Sequence, residues 1–119
     1  MDAGRRRRVT LILAEDVVEE IRTVLRRSFR GHPALRTAFR LLEILCSRSE
    51  VVPRAQYADR VAVWAERVRD RKDAPILACA ESVAADRLVS GDDDILALRG
   101  NVGLRILRTR ELLQEIGEG

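Results

Sequence analysis

The sequence predicts an α/β fold built on a central parallel sheet, and three observations predict it. The run Val9-Thr10-Leu11-Ile12-Leu13-Ala14 is short, continuous and rich in β-formers, the mark of a strand buried on both faces. Segments of helical period follow it, separated by short extended stretches. Finally, an acid-opened apolar helix, Asp73-Ala74-Pro75-Ile76-Leu77-Ala78-Cys79-Ala80, leads into a second short strand that ends in Asp92-Asp93-Asp94.

Each element has its own signal. After the first strand, Glu15 and Asp16 open a helix whose later turns carry Arg22, Arg26 and Arg27, an order that complements the helix dipole. Val17, Ile21, Val24 and Leu25 are its expected apolar face. Gly31 and Pro33 interrupt the pattern, and Pro33 suits the first turn of the next helix. Leu35, Phe39, Leu42, Ile44, Leu45 and Cys46 support that second helix. Val51-Val52-Pro53 reads as a short edge strand. Tyr57, Val61, Trp64 and Val68 recur at helical spacing as core positions of a third helix. Asp73 is the expected N-cap of a helix over Ala74–Ala85, with Pro75 in its first turn. Leu88-Val89-Ser90 is a strand, Gly91 a tight exit, and Asp92–Leu98 a helical turn. Leu104–Leu107 is a last strand, and Thr109 is the expected cap of a closing helix over Arg110–Ile116.

The 119 residues suit one domain, 1–119, and the 46% apolar content suffices for a core. No apolar run reaches the ~20 residues of a membrane span. The basic start followed by Val9–Ala14 lacks the cleavage site of a signal peptide, so the expected location is cytoplasmic. Cys46 and Cys79 sit in apolar helical patterns and read as reduced thiols. His32, within Gly31-His32-Pro33, reads as a turn residue. Charge is uneven: residues 1–48 carry +5 and residues 49–119 carry −2. The run Arg5–Arg8 reads as a flexible basic arm over residues 1–8, solvated or phosphate-binding. Aromatic residues are 3% of the chain, too few for a base-stacking platform.

Ligands of open parallel sheets gather at the carboxyl ends of strands. Asp92 directly follows one strand, Asp73 opens the helix that feeds it, and Glu20 lies on the helix after the first strand. At ~100° per residue, Glu20 falls on the border of the apolar face and Glu19 on the solvated side. A carboxylate at that border needs a partner, either an arginine or a cation. Such a cluster suits Mg²⁺ or Mn²⁺. Taken singly, the residues have plainer readings. Asp73 is an N-cap, Asp92–Asp94 a polar turn, and Glu20 an ion-pair partner. An EF-hand loop is excluded because Ala97 stands where glycine is required. A receiver-type phosphoacceptor site would need its acidic pair on an early strand.

Together these segments resemble the PIN domain family, in particular its toxin–antitoxin branch. Asp73 to Ala80 matches the family's helix start, and Leu88-Val89-Ser90-Gly91-Asp92-Asp93-Asp94-Ile95-Leu96 its acidic strand exit, with Ser90 in place of the usual threonine. Leu13 to Ile21 resembles the family's second strand and helix, with Glu20 at the acidic position. The resemblance implies a three-layer fold and an Mg²⁺- or Mn²⁺-dependent endoribonuclease, the toxin of a toxin–antitoxin pair. Its metal ligands would be Glu20, Asp73, Asp92 and Asp94, with Ser90 orienting the site. RNA would be the substrate and an antitoxin protein the partner. The family's first strand, ending in a metal-binding Asp, has no counterpart in Met1–Arg8, and Asp2 does not replace it. By this comparison the fold is expected to be N-terminally incomplete. The alternative is a non-catalytic interaction protein of the same fold, pairing with a partner helix or as a homo-oligomer.

Overall fold

A computed structural model describes residues 9–118. Asp2 and the arginine run Arg5–Arg8, and with them the basic arm, lie outside the described residues. The chain alternates strand and helix: β1 (Ile12–Ala14), α1 (Glu15–Ser28), α2 (Leu35–Ser47), β2 (Glu50–Val52), α3 (Arg54–Ala65), a 3-10 turn (Arg71–Asp73), α4 (Ala74–Ser82), β3 (Arg87–Val89), α5 (Asp93–Leu96), β4 (Arg105–Leu107) and α6 (Thr109–Glu118). The α/β class is as the sequence predicts, and every strand pairing is parallel.

The sheet itself is divided. β1 pairs with β2, and β3 pairs with β4, as two separate two-stranded sheets. Among the described residues no strand bridges β1 and β3, so each keeps one edge without a strand partner. β1 begins at Ile12, later than the apolar run suggests, because the strand opposite it offers only Glu50–Val52 for pairing. Val9 and Leu11 are accordingly exposed.

Helix α4 lies at the centre. Ala74, Leu77, Ala78, Cys79 and Ala80 are all buried, the pattern of a helix covered on most sides. Its small residues let it pack closely on α3, and it also meets α1 and β1. From α3, Tyr57 and Trp64 complete this core. The indole Nε1 of Trp64 donates to Glu81 (3.1 Å), whose carboxylate also accepts from Arg60 (2.8 and 3.0 Å). The Arg67 guanidinium stacks on the Trp64 ring, 4.6 Å from its centroid, a cation–π contact.

Some local details differ from the sequence expectation. In α1 the buried residue is Val18, while Val24 is exposed, because the inward face is set by β1 and α4 contacts near its start. Pro33 precedes α2 instead of entering its first turn. Helix α4 stops at Ser82, and Ala84 adopts a left-handed φ of 50°. Cys79 is buried and Cys46 partly so, both as free thiols. His32 closes a turn as expected, its Nδ1 accepting from the Ala34 amide (3.0 Å).

Candidate metal centre

Asp70 organises the approach to α4. Its extended backbone starts the 3-10 turn, and its Oδ1 accepts from the Lys72 amide (3.0 Å). Its carbonyl accepts from the Asp73 amide (3.0 Å). The turn runs directly into α4, so Asp73 has helical backbone angles and makes no capping hydrogen bond. The expected N-cap role of Asp73 is therefore corrected. Asp70 caps the turn one residue ahead of it, and the Asp73 carboxylate is free for something else.

That carboxylate is buried. Asp73 is 5% exposed, and its Oδ2 has no hydrogen-bond partner among the described residues. Buried, unpaired carboxylates are costly, so native structures rarely keep them without a reason. Burial pushes the Asp73 carboxyl up to about 6, and the negative charges of Asp92, Asp70, Asp94 and Glu20 add to the rise in that order. One oxygen each from Asp70, Asp73 and Asp94 lies within 4.8 Å of the others. Oxygen donors of this kind, short of cationic partners, are the donor set hard divalent cations prefer. The residues fit such an ion.

Asp94 reaches the cluster from the start of α5. Asp92 is the N-cap of that helix, its Oδ1 accepting from the amides of Asp94 (2.7 Å) and Ile95 (3.4 Å). The Ser90 hydroxyl in turn accepts from the Asp92 amide (3.0 Å). Ser90 and Asp92 thus form a relay of turns that aims Asp94. Asp92 itself is exposed and lies outside the close group.

Glu20 is exposed. It lines a shallow cleft with Asp16, Val17, Lys72, Pro75 and Ile76, beside the 3-10 turn. It also lies outside the close group. Glu19 behaves as a surface residue, paired with Arg54 (2.9 Å). Arg54 also holds Asp16 (2.9 Å), and the Tyr57 hydroxyl donates to Asp16 and accepts its amide. This network fixes the β1–α1 junction at the rim of the cleft.

Two features escaped the sequence reading. Asp70 sits three residues before Asp73, and only a 3-10 turn between them makes that spacing meaningful. Arg67, Arg69, Arg71 and Lys72 adjoin the acidic turn in sequence, all exposed. Their interleaving with Asp70 and Asp73 was the available signal.

A family model described as PIN domain matches residues 1–94. The matched span holds the Asp70 turn, Asp73, Asp92 and Asp94, and leaves β4 and α6 beyond it. No curated protein and no solved structure matches the chain.

Proposed function

The chain belongs to the PIN domain family, a nuclease-type fold, and from that premise we propose that it is a divalent-cation-dependent endoribonuclease, the toxin of a toxin–antitoxin pair. The observation that carries this reading is the buried, unpartnered Asp73 carboxylate packed among other carboxylates. Asp73 and Asp94 are the residues to hold Mg²⁺ or Mn²⁺. When bound, such an ion supplies positive charge against a phosphodiester and acidifies water.

The chain's own residues do the rest. Asp92 and Ser90 fix the α5 start and with it the direction of Asp94. Glu20 places a second charge on the cleft wall, next to Lys72 and Asp16. Arg69, Arg71 and Lys72 lie next to the acidic aspartates in sequence and are exposed, a placement that suits a polyanionic backbone. RNA would then lie across a basic rim with its phosphate over an acidic centre.

The test uses the purified chain and a fluorophore–quencher single-stranded RNA with Mn²⁺. Cleavage is expected, and EDTA is expected to end it. Asp73→Asn should lower the rate by about a hundredfold or more, the usual cost of removing a central electrostatic group. Cleavage that persists in EDTA and in the variant would overturn the reading. For the toxin role, induced expression in a bacterial host should arrest growth, and the Asp73→Asn form should not.

The divided sheet favours a second reading, that of a non-catalytic interaction protein. Among the described residues β1 and β3 each keep an edge without a strand partner, a surface on which another strand can add. Dimers and larger species in sedimentation, with no Mn²⁺ affinity, would favour it.

A further inference from the structure

We propose that Asp70 is a direct cation ligand, the third carboxylate of the centre that Asp73 and Asp94 begin. The inference rests on the function proposed above and adds to it a residue that the sequence motifs do not contain.

Three observations converge on Asp70. Its carboxylate has an oxygen within 4.8 Å of oxygens from both Asp73 and Asp94. The Asp73 carboxylate in this group is nearly fully buried, and its Oδ2 has no partner among the described residues. An acidic cluster on an exposed surface needs no ligand, whereas an orphaned buried oxygen calls for a partner such as an ion. The third observation is local geometry. Asp70 caps the 3-10 turn that ends in Asp73, so the two carboxylates flank one tight turn. The Asp73 amide bonded to the Asp70 carbonyl closes that turn (3.0 Å). The Lys72 amide bonded to Asp70 Oδ1 holds the carboxylate in orientation (3.0 Å) and leaves its second oxygen for a ligand. A backbone donor on one oxygen is the kind of support that metal-ligating carboxylates receive.

The charges nearby do not neutralise the group. Among the described residues, the one cation paired with any of the three is Arg69, 4.0 Å from Asp94 and itself 88% exposed. Asp92 caps α5 and contributes no oxygen to the close group. The work is therefore divided between two aspartates that look interchangeable in sequence. Asp92 aims a ligand, and Asp70 is one.

A cap and a ligand make different demands. Asparagine accepts an amide hydrogen bond as well as aspartate does, so Asp70→Asn keeps the cap and removes the charge. Mn²⁺ affinity of the full chain, read by electron paramagnetic resonance of the free ion, separates the two roles. We expect Asp70→Asn to weaken binding by about tenfold or more, since affinity of carboxylate sites follows their charge count, and to leave the melting temperature in EDTA no lower. Asp70→Glu should bind more tightly than Asp70→Asn. Unchanged affinity in Asp70→Asn, with the wild-type chain binding Mn²⁺, would overturn the role of Asp70 and leave the proposed function standing. A wild-type chain without Mn²⁺ affinity would overturn both.

Discussion

Asp73 ties the chemistry of one side chain to the stability of the protein. Its carboxyl is raised to about 6 by burial first and neighbouring carboxylates second. A carboxyl raised by folding stabilises the folded state when protonated. That stabilisation is complete below the unfolded value, near 4, and is lost as pH rises through about 6. The metal-free protein should therefore lose up to about 3 kcal/mol from this residue between roughly pH 4 and pH 7. Thermal melts in EDTA across that range are expected to show the decline, and Asp73→Asn should flatten it. The variant should also be the more stable protein at neutral pH and lose that advantage near pH 4. The aspartates of the acidic strand exit were legible in the sequence because their pattern is local. Asp70 was not, because Arg69-Asp70-Arg71-Lys72 reads as an ordinary charged turn until its backbone conformation is known.

The end of α4 shows what local pattern misses at the scale of an element. Ala84 and Ala85 are strong helix formers, so the sequence carried the helix through Ala85. Instead the Ala85 amide bonds to the Ala80 carbonyl (3.0 Å) and the Ala84 amide to the Glu81 carbonyl (3.1 Å). These are the two bonds of a Schellman motif, which puts Ala84 at the left-handed position that glycine usually takes. Ala84→Gly should stabilise the protein by about 1 kcal/mol, the cost of an alanine Cβ in that conformation, as read by urea midpoint at unchanged slope. The turn is required because the chain must reverse within a few residues to enter β3. A similar substitution of roles occurs at α6. Thr109 was the expected cap, but the Glu111 carboxylate accepts the Arg108 amide (2.7 Å), the reaching-back half of a capping box.

Across the whole molecule, the existence and direction of the strands could be read from short apolar runs, but their division into two pairs could not. Pairing depends on which edges meet in space, and nothing in a three-residue strand encodes its neighbour. Both halves feed side chains into one core around α4: Ala14 and Val52 from one sheet, Ile106 from the other, and Leu77 fully buried within the helix. Leu77→Ala should cost about 2–5 kcal/mol. Fluorescence of Trp64, the single tryptophan, and far-UV circular dichroism are expected to shift together in that variant. Separate transitions would mean that the halves unfold independently. The crowding of Asp70, Asp73 and Asp94 reaches equally far. A ligand that binds only the folded chain stabilises it by about 2.7 kcal/mol at a hundredfold excess over its dissociation constant. If a cation fills the cluster, the lifetime of this protein against proteolysis becomes a gauge of divalent-ion supply, with scarcity marking it for degradation.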